Sequence, residues 1–175
     1  MSEGGRKLGF LEKAIRLIPG YKGYKRKEER RDNDQLFRSM LIRRLDNLRT
    51  ALRESTAGLK GPDALRSVSG FERVVKRLEK VRDEIRLADR GYRGWFDMHK
   101  VREDELDKLY QFDVGLVEDV EVLEKAVQDF TEKVGAGGDL DQAVQEVVDI
   151  LQRFSEKLAS RRDLMVDLER NAPVD

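Results

Sequence analysis

Apolar residues recur every three or four positions along four long stretches of the chain, which is the spacing of one face of a helix. The first runs from about 27 to 57, with Phe37, Met40, Leu41, Leu45, Leu48 and Leu52 forming a narrow stripe. The second runs from about 62 to 90, with Leu65, Val68, Phe71, Val75, Leu78, Val81 or Arg82, and Ile85. Pro62 suits a first helical turn, where its missing N–H would be unpaired anyway. Ser69-Gly-Phe-Glu72 is an alternative start, because a serine followed three residues later by a glutamate matches a capping box.

The third stretch runs from about 96 to 134. Its stripe is Leu106, Leu109 with Tyr110, Asp113, Val117, Val120, Leu123, Val127 and Phe130. Gly135-Ala-Gly-Gly138 ends it, with glycine supplying a left-handed cap. Asp139 then caps the fourth stretch, with Gln142 three residues on. Its stripe is Leu140, Val144, Val147, Leu151, Phe154, Leu158, Arg161 or Arg162, Met165 and Leu168. The repeat is close to 3.5 residues, as knobs-into-holes packing requires. Short connections force antiparallel neighbours. The expected fold is all-α: an antiparallel up-down-up-down four-helix bundle over residues 26–170. A basic amphipathic segment precedes it at 1–25, and a disordered tail follows at 171–175. A three-helix or hairpin-like coiled coil that pairs between chains is the alternative.

Asp113 and Arg161 or Arg162 interrupt otherwise apolar stripes. If the hairpin turns near residue 137, position 113 lies opposite position 161. A buried carboxylate and a buried guanidinium each need a partner. The expectation is a structural ion pair between Asp113 and Arg161, or Arg162, serving register rather than chemistry. The alternative is that both face water at the stripe's edge.

Two loops echo each other. "GYKGY", Gly20–Tyr24, enters the first long helix, and "GYRGW", Gly91–Trp95, joins the second to the third. An up-down-up-down bundle puts both at one end, where Tyr21, Tyr24, Tyr92, Trp95 and Phe96 should cluster. One reading is an aromatic-basic binding surface, with Tyr21, Lys22, Tyr24, Tyr92, Arg93 and Trp95 holding a partner. The other is a packed lid that closes the open end of the bundle.

Composition and charge narrow the function. The 175 residues contain 35 Lys or Arg and 35 Asp or Glu, a net charge of zero. Residues 1–100 hold 26 basic against 15 acidic residues, and residues 101–175 hold 9 against 20. The two halves can neutralise each other by packing. No cysteine occurs, which excludes disulfides and thiolate metal sites and is compatible with a reducing compartment. The N-terminus carries charges through its apolar part and lacks the uninterrupted run of a signal peptide. The expected location is cytoplasmic, with a peripheral membrane position left open.

Candidate chemistry is sparse. His99 is the only histidine, so no histidine-pair metal site can form, and its expected role is a surface or capping residue. Glu103, Asp104, Glu105 and Asp107 suit the start of a helix, where carboxylates meet the positive end of the helix dipole. No catalytic residue, metal or cofactor is expected. The expected function is that of a non-enzymatic interaction or scaffold protein with a protein partner. Leu8, Phe10, Leu11, Ala14, Ile15, Leu17 and Ile18 form a short amphipathic helix. Residues 1–27 carry eight basic and two acidic groups, so an anionic membrane surface is a second possible partner. Nucleic acid is a third, and self-association a fourth.

The segments "IPGYKGYKRKEERRD" and "GYRGWFD…KVREDELDKLYQFD" resemble an uncharacterised prokaryotic helical-bundle family. That resemblance implies a helical fold and no activity. The order of a short amphipathic start before long charged helices is also similar to phage-shock and other membrane-remodelling helical proteins, whose much longer hairpin is absent here.

Overall fold

A computed structural model describes residues 9–137 and 139–172 of the chain. The first eight residues of the basic segment, Gly138 and the last three residues of the expected tail lie outside the described residues, as do the side chains of Pro62, Asp63, Leu65 and Arg66. The described residues are all-helical, with five α-helices and no strand. These are α1 (Phe10–Leu17), α2 (Arg30–Thr56), α3 (Pro62–Leu87), α4 (Glu103–Ala136) and α5 (Asp141–Arg170).

Local chemistry sets the ends. Gly61 precedes α3 with φ of 89°, and Pro62 opens the helix, so the Ser69–Glu72 box lies inside it and is not its start. Glu105 reaches back to accept the Arg102 N–H at 2.9 Å, and three carboxylates fill the first turn of α4. Gly137 ends that helix in the left-handed region, as glycine does cheaply. The N-cap of α5 is Leu140, which makes no side-chain cap, and Asp139, one residue earlier, accepts the Asp141 N–H at 3.0 Å.

The third long helix begins at Glu103, later than the periodicity placed it. Residues Arg93–Asp97 form a tight 3-10 turn that buries Trp95 and Phe96, and Met98 turns the backbone extended. Packing of two large rings at the end of the molecule outweighs the helical spacing of the segment. Val68 is 40% exposed while its neighbour Ser67 is buried, and Val74, outside the expected stripe, is buried too.

The closely packed pairs are α2 with α3, α4 with α5, α3 with α5, α2 with α4, and α1 with α4. Side-chain contacts run in opposite senses along α2 and α3: Arg38 meets the Arg86 carbonyl, and Arg49 meets Glu79. They also run in opposite senses along α4 and α5, where Arg161 meets Asp113 and Lys157 meets Asp119. Across α2 and α4 they run in the same sense, as they do across α3 and α5. Arg161 bridges Asp34 and Asp113 at one level while Arg44 forks onto Glu124 at 2.8 and 2.6 Å further along, and Arg73 donates to Gln145 at 3.1 Å while Ser155 donates to Glu84 at 2.7 Å. The consecutive helices α3 and α4 are therefore not close neighbours. Residues 88–102 carry the chain across the end of the molecule, and that crossing brings Tyr92 and Trp95 over the core.

The interior is one apolar cluster drawn from all five helices and both loops. α4 buries the most of its surface because α1, α2 and α5 all pack on it. No helix among the described residues is long and apolar enough to cross a membrane.

Candidate functional site

The most polar part of the interior lies where both glycine-aromatic loops meet α2, α4 and α5. It is built from Tyr21 and Tyr24 on the segment between α1 and α2, and Asp34 and Arg38 on α2. Tyr92 comes from the 88–102 crossing, Tyr110 and Asp113 from α4, and Arg161 and Met165 from α5.

Arg161 is the hub. Only 1% of it is exposed, and its five N–H groups all find acceptors. Nε donates to Asp113 Oδ1 at 2.6 Å. One terminal nitrogen donates to Tyr24 Oη at 2.8 Å and Asp34 Oδ1 at 3.0 Å. The other donates to Tyr92 Oη at 3.3 Å and lies 3.5 Å from Met165 Sδ. Its plane also stands 5.0 Å from the centre of the Phe37 ring.

The acceptors are equally occupied. Asp113 Oδ2 receives the hydroxyls of Tyr21 and Tyr24, each at 2.7 Å. Asp34 receives Tyr92 Oη at 3.1 Å and Arg38 Nε at 2.8 Å. Two guanidiniums thus face two carboxylates, and the cluster is neutral as a unit. Such closure is what makes a buried ionic group tolerable, since an unpaired one would keep its full desolvation cost.

Burial raises Asp113 above the usual carboxylate range, although Arg161 and the two tyrosine hydroxyls pull it back down. Burial opposes the charge of Arg161, but Asp113, the tyrosines and Asp34 more than offset this and hold it above its ordinary value. Tyr21, Tyr24 and Tyr92 are all pushed up, chiefly by burial, and then by Asp113 for the first two and Asp34 for the third. The set holds its protons in place across the neutral range; it offers no free base and no free acid.

A second layer fixes the strand of chain that carries Tyr21 and Tyr24. The Tyr24 N–H donates to Tyr110 Oη at 2.9 Å, and Arg30 Nε donates to the Tyr24 carbonyl at 2.9 Å. Arg30 also reaches the Met98 carbonyl at 2.7 Å and lies 5.3 Å from the centre of the Trp95 ring. Asn33 Oδ1 accepts the Lys22 N–H at 2.8 Å. Tyr24 stacks on Tyr110 and meets Trp95 edge-on. The Trp95 indole N–H is buried with no acceptor on the protein.

The structure brings Asp113 and Arg161 together, while Arg162 points outward to its neighbour Asp163 at 3.0 Å. Tyr21, Tyr24, Tyr92 and Trp95 share one end of the molecule, but as interior residues. The expectation that these rings face a partner is corrected by their burial: each is at most 3% exposed. The three tyrosine rings are covered because their hydroxyls satisfy Asp113, Asp34 and Arg161, and leaving them in water would orphan those charges, while Trp95 is buried by packing on Tyr24 and Phe96. Lys22 and Arg93 do point outward.

Asp34, Arg38, Arg30, Asn33 and Tyr110 complete the site and were not expected in it. A signal existed for three of them. Arg30, Asn33 and Asp34 continue the spacing of Phe37, Met40 and Leu41 backwards into a run that reads as solvated, "RRDND". His99 is exposed. No group of three or more histidine, aspartate or glutamate side chains among the described residues is placed to hold a metal ion. No family model matches this sequence, and no curated protein or solved structure matches it.

Proposed function

We propose that this chain is a non-enzymatic interaction or scaffold protein of a reducing, cytoplasmic setting. Its four long helices serve as an up-down-up-down bundle of two antiparallel hairpins, α2–α3 and α4–α5, packed against each other in the same sense, with α1 as a short amphipathic appendage. Opposite-sense contacts within the pairs α2–α3 and α4–α5 support that arrangement, laid out as two hairpins side by side.

The observation that carries the reading is an alternation within both loops. In each, the aromatic residues point in and the basic residue between them points out. Tyr21 and Tyr24 are buried while Lys22 is exposed; Tyr92 and Trp95 are buried while Arg93 is exposed. Lys25 and Arg26 project beside Lys22. A cation on a rigid base loses little freedom on binding, so it favours a preorganised contact with an acidic protein surface. The aromatic rings act beneath that surface, as its foundation.

Charge reversal tests it without touching the foundation. Lys22→Glu/Arg93→Glu should fold with an unchanged melting temperature and lose the salt-sensitive partners that the wild-type chain captures from its native host. Retention of every partner by the variant would end the proposal. A second reading, peripheral membrane binding, is favoured by Phe10 and Ile15, which are 37% and 47% exposed beside Lys13 and Arg16 on α1. Co-sedimentation with anionic vesicles, with and without residues 1–18, separates the two.

A further inference from the structure

Away from the buried network, a groove of about 550 Å³ opens where α1 meets α4 and α5. Phe10, Phe112 and Leu164 supply apolar wall, and Gly115 lies on the floor. Lys13, Lys108 and Lys157 line it, with Glu118 as the carboxylate among them.

Three observations set this groove apart. The first is charge. Lys157 is neutralised by Asp119 at 2.7 Å. Lys13 stands 5.6 Å from the centre of the Phe10 ring, and neither it nor the exposed Lys108 has an ion-pair partner among the described residues. By contrast, Lys22, Lys25, Arg26 and Arg31 each face a carboxylate within 3.8 Å. With Lys157 paired and Glu118 set against Lys13 and Lys108, the described lining keeps a small positive excess.

The second is apolar area left uncovered. Phe10 begins α1 on the flank that faces the groove, and Phe112 and Leu164 are only half-buried although they lie on core helices. The third is Gly115, inside α4, where glycine is less favourable than alanine. Gly70, the comparable glycine in α3, is required by packing: a Cβ there would come within 2.8 Å of Val144 Cγ2. At Gly115 the nearest atom to a Cβ is the flexible end of Lys157, at 3.2 Å. Neither backbone nor core demands the glycine; its missing side chain leaves room for the Lys157 stem, whose Nζ donates to the Gly115 carbonyl at 3.3 Å.

We propose that this groove binds a single-chain anionic amphiphile, an aliphatic carboxylate of the fatty-acid class. The carboxylate meets Lys13 and Lys108. The chain lies against Phe10, Phe112, Leu164 and the aliphatic stem of Lys157. The volume falls within the range of about 300–1,000 Å³ typical of small-molecule sites, and apolar walls with a few convergent charges are the usual lining of such sites. The inference is independent of the partner surface at the loop end.

Sodium dodecanoate, titrated calorimetrically into the full chain below its micelle-forming concentration, is the test. Saturable binding at one site is expected. Lys13→Glu/Lys108→Glu should weaken it at least tenfold, and Lys13→Ala/Lys108→Ala should do so in a milder way if the reversal disturbs folding. Gly115→Leu, which fills the floor while favouring the helix, should abolish it. Dodecyltrimethylammonium, with the same chain and the opposite charge, should not bind. Absence of saturable binding, equal binding of the cationic amphiphile, or undiminished binding by the lysine variants would each overturn the proposal. So would an acidic amphipathic peptide that occupies the groove where dodecanoate does not.

Discussion

Residues 20–24 and 91–95 carry the same pattern, glycine-tyrosine-basic-glycine-aromatic, and place their aromatic side chains in the same cluster. They use their glycines for different reasons. Gly20 and Gly23 have φ of 83° and 85°, a region that other residues enter at a cost. Gly23 is also crowded, since a Cβ would lie 2.7 Å from Tyr110 Oη and 2.8 Å from Leu11 Cδ1. Gly91 and Gly94 have ordinary backbone. Their missing side chains let the loop pass close to α5, against Arg162 and Glu169. One loop needs glycine for its path, the other for its clearance. A repeated motif in sequence is thus a shared outcome, aromatics inward and cation outward, reached by unrelated backbone requirements.

Alkaline titration tests what the two loops share and should give the largest effect. All four tyrosines of the protein belong to this cluster: Tyr21, Tyr24, Tyr92 and Tyr110. All four are raised in the folded protein, first by burial. A group with a raised folded pKa contributes stability that is complete below its unfolded value and lost as pH rises toward the folded one. Stability should therefore hold to about pH 10 and then fall by about 1.4 kcal/mol per pH unit for each tyrosine that ionises only on unfolding. Tyrosinate absorbance should appear together with the loss of helical circular dichroism. Smooth titration of all four in a folded protein would contradict the closed network.

Arg161→Met removes the charge to which both loops are tied, through Tyr24 and Tyr92. It leaves Asp113 and Asp34 buried with weaker partners, and should cost about 3–5 kcal/mol in urea unfolding followed by Trp95 fluorescence. Gly23→Ala and Gly91→Ala then separate the loops. The first should cost roughly 2–4 kcal/mol, from the left-handed backbone and the contact with Tyr110 together. The second asks only that the Arg162 side chain shift, and should change stability by under about 1 kcal/mol. Equal costs would erase the distinction drawn between the two glycines. Smallest of all, Arg162→Ala should lie within about 0.5 kcal/mol of wild type, because its one ion pair among the described residues is with its exposed neighbour Asp163 and its stem only flanks Gly91. A large loss there would mean that the ionic contact with α5 had been assigned to the wrong arginine.

The sequence made the helices legible because the stripes are regular and the breakers few. Every residue expected in the stripe of α4, from Leu106 to Phe130, is buried. It also made half of the ionic cluster legible, since Asp113 and Arg161 stand at positions where an apolar residue is due. Asp34 and Arg38 were hidden because they sit in a charged run at the start of α2, where polar residues are ordinary. Only the arrival of Tyr92 and Arg161 from distant parts of the chain makes that stretch interior.

Periodicity, glycine punctuation and stripe interruptions, all of them local properties, determined by themselves that this chain is helical, where most helices end, and which two charges needed each other. The tertiary structure alone decided that α3 and α4 are not close neighbours and that the aromatic residues of both loops face inward. It also decided which of two adjacent arginines is the hub. Those outcomes depend on contacts between residues 48 to 137 positions apart, such as Arg161 with Asp113 and with Tyr24. A hydroxyl or carboxylate is buried only when its partner is already there to receive it.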